Sequence, residues 1–307
     1  MMTSYWISMA VGAVLSTVWL WVRLKKRGMK ENTAFAALPV SFALGFAAAK
    51  LFYVVLLFNR SLSVYGLEAL VRMKSNEFSF FGGCVGACLG MALTAKAFRL
   101  RPGMYLDAFA PAGALMVAFT RFSEKYLDML GTGKYTDSEF LCRFPFAVSN
   151  EWGEWYLAIF MLEALAALVI AVIFTVKKRE DWFPLLRFLR VAFYLCVVQI
   201  FLESLRSMGL KWGFVRVEQL LSGVAVMGVL LYHCLKLQGN SFLGRFWPVL
   251  AGLCGIAALV GIEFGLDRTE LPDAFWYAVM VAVLAGYGWL EIWCVKKRFM
   301  QERMKHD

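Results

Sequence analysis

Nine apolar runs, each 17 to 26 residues long, occupy most of this 307-residue chain. They fall at about 5–24, 33–58, 78–98, 104–120, 155–175, 189–206, 216–235, 245–264 and 274–295. About 20 helical residues cross a bilayer, so each run is long enough to span it. Lipid offers the backbone no water, and only helices or closed barrels satisfy all its hydrogen-bonding groups there. Barrel strands alternate in polarity and are about half this length, so these runs are helices. The expected fold is therefore all-α, a polytopic membrane helix bundle of about nine transmembrane helices. Composition agrees: 61% of residues are hydrophobic and 18% charged, more apolar surface than a soluble domain of this length can bury. The first run lacks the short apolar region and small-residue cleavage site of a secretory signal, so it reads as a retained helix.

The charges have sides. The segments after runs 1, 3, 5, 7 and 9 hold 20 of the 32 basic residues, among them Arg23, Lys25, Lys26 and Arg27, and Lys296, Lys297 and Arg298. Residues 121–154 instead carry Glu124, Asp128, Asp137, Glu139, Glu151 and Glu154, and 263–273 hold four acids against one arginine. The positive-inside rule then places the N-terminus outside and the C-terminus in the cytoplasm. The net charge of +10 reflects topology and contact with anionic lipid, and no nucleic-acid partner is expected. Residues 121–154 form the one long outer loop, a candidate cap or substrate-docking region. A polar break, QGNSFLGR at 238–245, divides a domain of residues 1–238 from an additional hairpin and basic tail at 239–307.

Seven cysteines are scattered, six of them in or at the ends of apolar runs, which is no disulfide framework. Cys84 and Cys88 share a helix face, but two thiols alone make a poor metal site. Both histidines, His233 and His306, fall on the cytoplasmic side. No Walker loop, dinucleotide-binding glycine motif or nucleophile elbow is present. No metal or cofactor is called for.

Charge inside a bilayer is expensive, so each ionisable residue there is a functional candidate. The set is Lys50, Asp107, Arg121, Glu163, Glu203, Arg206, Glu218, Glu263 and Glu291. The topology brings Arg121, Glu163, Glu203 and Arg206 to one outer level, together with Phe81, Gly82 and Gly83 at the start of the third run. They can be stabilising pairs or a site. Asp107 lies near the cytoplasmic end of its run and reads as structural, either starting the helix or binding a basic loop.

Several stretches resemble the prolipoprotein diacylglyceryl transferase family of bacteria. Ser79-Phe80-Phe81-Gly82-Gly83 is similar to its Ser-Phe-His/Tyr-Gly-Gly motif. Asp107, Ala110 and Pro111 match Asp-x-x-Ala-Pro, and Arg121 falls at the arginine of the Gly-Arg-x-Gly-Asn-Phe signature. Gln199, Glu203 and Arg206 stand where the family has Arg-x-x-x-Glu-x-x-Arg, and Glu218 to Ser222 match part of Gly-Gln-x-Leu-Ser. Residues 47–55, with Lys50 for arginine, and Tyr5-Trp6 resemble two N-terminal motifs. The likeness covers about residues 1–238. The family's His/Tyr, signature asparagine and helical arginine are here Phe81, Glu124 and Gln199.

The resemblance implies a multi-pass enzyme of the bacterial cell membrane. It would move a diacylglyceryl group from phosphatidylglycerol to the lipobox cysteine of a prolipoprotein. Glu203 and then Glu124 are the candidate catalytic bases. Arg121, Arg206, Gln199, Gly82 and Gly83 are expected to bind phospholipid, and Phe81, Tyr5 and Glu163 to shape the pocket. Gly82 and Gly83 admit either a lipid headgroup or a closely packed helix. The alternative function is a catalytically silent or repurposed relative that binds a phospholipid or lipoprotein partner. A transporter is disfavoured, because the charges gather at one face rather than along a path across the bilayer. The sidedness predicts that a reporter fused at Asp307 reads as cytoplasmic; an external readout overturns the nine-span count.

Overall fold

The computed structural model describes residues 2–56, 66, 68–71, 77–127, 131–176, 183–207, 211–212, 215–238 and 242–304. Asp128, the basic run 177–179, residues 239–241 of the polar break and His306 lie outside them. Among the described residues nine helices are long and apolar enough to cross a membrane. They are α1 (Met2–Lys26), α2 (Thr33–Leu56), α3 (Phe80–Ala97), α4 (Pro102–Ser123), α5 (Ile159–Val176), α6 (Leu186–Leu205), α7 (Val217–Lys236), α8 (Phe242–Arg268) and α9 (Asp273–Arg303). Each corresponds to one apolar run, and the fold is an all-α polytopic membrane bundle. The chain divides into two compact units, Met9–Met116 with Phe174–Phe188, and Met1–Ser8 with Val117–Ile173 and Leu189–Asp307.

In the first unit the closest helix pairing joins α2 and α3. Lipid is as apolar as leucine, so membrane helices adhere through close backbone approach and polar contacts rather than through hydrophobic burial. Gly82, Gly86 and Gly90 provide that approach, spaced four apart along one stripe of α3. A Cβ on Gly82 would sit 2.6 Å from Phe52 Cβ and 2.7 Å from Ala48 O; one on Gly90 would sit 2.6 Å from Ser41 Cα. One on Gly86 would collide with Leu44 O. Ser79 starts α3, its hydroxyl accepting from Gly82 N at 3.2 Å. Beside the seam, Lys50 of α2 pairs with Glu77 at 3.0 Å, both buried. A second cluster packs Leu20 and Leu24 of α1 with Ala37, Met91, Tyr105 and Phe109. Asp107 accepts from the backbone amides of Leu185 at 2.6 Å and Phe188 at 2.9 Å. It therefore anchors the turn that leads into α6, and does so through amides.

The second unit is built on a core shared by α6, α7, α8 and α9, including Phe193, Ile200, Leu230, Met280 and Tyr287. Residues on both sides of 238/239 contribute to it. Tyr287 donates to Gly252 O at 2.6 Å, tying α9 to α8. Between α4 and α5 the chain forms a small antiparallel hairpin, β1 (Ala147–Ser149) in the expected outer loop with β2 (Trp155–Leu157). β2 takes the first residues of the run expected to span at 155–175, so α5 starts only at Ile159. The hairpin turn is chemically specified. Asn150 Oδ1 accepts from the amides of Trp152 and Glu154, both at 2.9 Å, and Gly153 takes a positive φ of 79°. Residues 133–136 lie against β2, with Gly133 N donating to Leu157 O at 2.7 Å and Thr136 N to Trp155 O at 2.9 Å.

The α2–α3 seam yields the first structural prediction. Gly86→Leu forces two backbones apart, and overpacking of this kind costs about 1–3 kcal/mol or more. The variant is expected to unfold at a lower temperature in detergent, while Gly83→Ala, whose Cβ would meet Ala49 Cβ at 3.7 Å, stays close to wild type.

Candidate functional site

The last turn of α4 carries Arg121, and a 3-10 turn follows at once, Glu124–Tyr126. Ser123 bridges the two, its hydroxyl donating to Phe119 O at 2.6 Å. The i, i+3 spacing brings Arg121 Nη1 to Glu124 Oε1 at 2.6 Å. The other nitrogens of the same guanidinium meet two more helices. Nε lies 3.0 Å from Glu163 Oε2 in the first turns of α5, and Nη2 donates to Glu218 Oε2 at the start of α7, at 3.1 Å. Arg121 is only 1% exposed and is the largest of the fully buried side chains.

Arg206 follows the last turn of α6 and completes the cluster from the other side. Its Nη2 donates to Glu163 Oε2 at 2.5 Å and to Glu124 Oε2 at 3.3 Å, and its Nε lies 3.4 Å from Glu203 Oε2. Gln199, one turn before Glu203, donates through Nε2 to Glu203 Oε2 at 3.3 Å and to Glu218 Oε2 at 3.4 Å. Glu163 is the hub, since both arginines converge on one of its oxygens. Two guanidiniums thus face four carboxyl groups, Glu124, Glu163, Glu203 and Glu218. Buried ions are tolerated only when paired and hydrogen-bonded, and here the pairing joins four helices and the turn after α4.

A further segment covers this cluster. Gly131 has φ of +80°, open to glycine at no steric cost, and a Cβ there would collide with Glu124 Oε2. Thr132 O accepts from Ser207 N at 3.0 Å and from its hydroxyl at 3.1 Å. Gly133 bridges to Arg206, and a Cβ on it would meet Leu205 O at 2.8 Å. Residues 131–133 are therefore fastened to the end of α6 with their backbone against Glu124 and Arg206.

The structure brings together Arg121, Arg206, Glu124, Glu163, Glu203 and Gln199 of the expected site. Tyr5 belongs to the same unit and lies within electrostatic range of Glu124. Phe81, Gly82 and Gly83 belong to the other unit, where contact with α2 accounts for Gly82. Sequence reasoning passed over three residues. Glu218 stood among the bilayer acids without a role, and the structure places its Oε2 3.1 Å from Arg121 Nη2. Gly131 and Gly133 were visible only as a Gly-Thr-Gly triplet in a polar loop. Among the described residues no group of three or more His, Cys, Asp or Glu side chains has the arrangement to hold a metal ion.

Residues 1–234 match the profile of a family described as prolipoprotein diacylglyceryl transferase. The chain belongs to that family. Proteins named phosphatidylglycerol–prolipoprotein diacylglyceryl transferase are similar to it at low identity. The one from Listeria monocytogenes is 22% identical over 242 residues, covering 76% of this chain and 86% of the relative. Those from Finegoldia magna and Clostridium kluyveri are each 24% identical, over 237 and 244 residues, covering 76% and 77% of this chain and 91% and 93% of the relatives. All six charged members of the cluster lie inside the matched region, whereas α8 and α9 lie beyond it.

The hub gives a graded prediction. Glu163→Ala leaves two guanidiniums without their shared anion, and breaking a buried pair costs about 3–5 kcal/mol. Among single alanine replacements of the four glutamates it should lower the unfolding temperature most. Glu218→Ala, whose side chain is the most exposed of the four at 22%, should lower it least. The reverse order would remove Glu163 from the centre of the network.

Proposed function

We propose that this protein is a diacylglyceryl transferase of the bacterial cell membrane, with its N-terminus outside and the Arg121–Arg206 cluster as its site. The observation that carries the reading is the convergence of Arg121, Arg206, Glu203 and Gln199, all in the family-matched region, on one buried cluster. The donor is phosphatidylglycerol and the acceptor the lipobox cysteine of a prolipoprotein. The cysteine sulfur forms a thioether bond to the glyceryl carbon. The carbon–oxygen bond to phosphate breaks, and glycerol phosphate leaves. The thiol proton passes to Glu203, with Glu124 as the second candidate base. Arg121 and Arg206 hold the phosphate, which a planar guanidinium binds through two parallel hydrogen bonds. Both guanidiniums already carry carboxylates, so the phosphate competes with Glu124 and Glu163 for their N–H groups.

A second reading is favoured by that same occupancy. Four carboxyls against two guanidiniums, with Phe81 and Gln199 at positions where the family has His/Tyr and arginine, fit a relative that binds a phospholipid or lipoprotein without transferring lipid. Purified protein with labelled phosphatidylglycerol and a lipobox peptide separates the two. Transfer supports the enzyme; binding of phosphatidylglycerol without transfer supports the second reading. In an active protein, Arg121→Lys should reduce turnover about 10- to 100-fold, since a charge-assisted hydrogen bond contributes about 1.5–3 kcal/mol. Glu203→Gln should reduce turnover more than lipid binding. If Arg121→Ala and Glu203→Gln both leave transfer and binding unchanged, the site assignment is wrong.

A further inference from the structure

The hairpin α8–α9 lies beyond the family match, yet three of its carboxylates reach back into the matched region. Glu263 of α8 accepts from Gln219 Nε2 of α7 at 2.8 Å. Asp273, at the first position of α9, accepts from Lys134 at 2.7 Å. Glu291 of α9 lies 2.9 Å from Arg190 Nε and 3.2 Å from Tyr194 Oη, both on α6. In each of these three contacts the hairpin supplies the acid and the family region supplies the donor. An acid within a spanning helix is costly unless it meets a donor, so these contacts fix where the hairpin sits.

Two of the three contacts adjoin the ionic cluster. Gln219 follows Glu218 directly, and its Nε2 also donates to Ile200 O at 3.3 Å, beside Gln199. One amide therefore links α8 to the first turn of α7 and to α6. Those are the two elements that present Glu218, Gln199 and Glu203 to the arginines. Lys134 follows Gly133 in the segment that lies against Glu124 and Arg206. That exposed pair is worth little energetically, which makes Glu263 the stronger of the two.

We infer that Glu263 is a positioning residue, which acts through Gln219 to hold the first turn of α7, and with it Glu218, in register with the cluster. As an effect on turnover it rests on the transferase reading; as an effect on the α7 turn it does not. Three full-length variants test it by hydrogen–deuterium exchange and transfer kinetics. Glu263→Leu should exchange the amides of residues 217–222 about tenfold faster. It should also lower kcat about tenfold, with KM for phosphatidylglycerol within about twofold. Glu263→Gln keeps an acceptor for Gln219 and should restore both towards wild type. Glu291→Gln, at the opposite end of the hairpin, should lower the unfolding temperature without changing exchange at 217–222. The inference fails if Glu263→Leu leaves this exchange unchanged, or if Glu263→Gln is as damaging as Glu263→Leu. If wild type transfers no lipid but the exchange pattern holds, the transferase reading fails and the positioning role stands.

Discussion

One guanidinium organises the second unit of this protein. Arg121 sits at a helix end with almost no access to solvent, and each nitrogen of its planar group meets a carboxylate from a different element. Within a membrane such a charge cannot be left to water, so the ends of α5 and α7 and the turn after α4 have to come to it. Arg206 repeats the demand from α6 and shares Glu163 and Glu124. The strap at 131–133 lies with its backbone against Glu124 and Arg206. The same arrangement sets the chemistry of the proposed site, since an anion binding to either guanidinium has to exchange with a carboxylate.

The first unit is held by a different means. Along α2 and α3 the backbones nearly touch, and the contact tolerates no side chain at three successive glycines of one stripe. Dispersion acts over the full length of the seam, and each atom pair adds only about 0.1–0.2 kcal/mol. Adhesion of this kind has no preferred direction and no chemistry, which fits a scaffold. The ionic cluster is directional and depends on individual atoms.

Much of this was legible beforehand, for physical reasons. Apolar runs of spanning length leave the backbone no choice but helix, so the nine helices could be read, although α5 starts only at Ile159 and α9 runs on to Arg303, well past its apolar run. Charges at membrane depth are rare enough that Arg121, Glu163, Glu203 and Arg206 could be grouped by topology alone. The β-hairpin at 147–157 was missed because three-residue strands are too short for a period to show. Its one clear sign was Asn150 followed by Gly153, a turn signal without long flanking strands. Gly131 and Gly133 were missed because their role depends on what lies opposite them in space. The meaning of Gly82 was undecidable from the sequence, since a helix neighbour and a headgroup both require a missing side chain.

The acids of the α8–α9 hairpin bear on how the protein is made. A chain is made from its N-terminus, so Gln219, Arg190 and Tyr194 are synthesised before the Glu263 and Glu291 that they meet. The two acidic helices that complete their contacts follow the family-matched region in the chain. The family-matched portion is therefore made without the acids that its Gln219, Arg190 and Tyr194 meet in the finished fold.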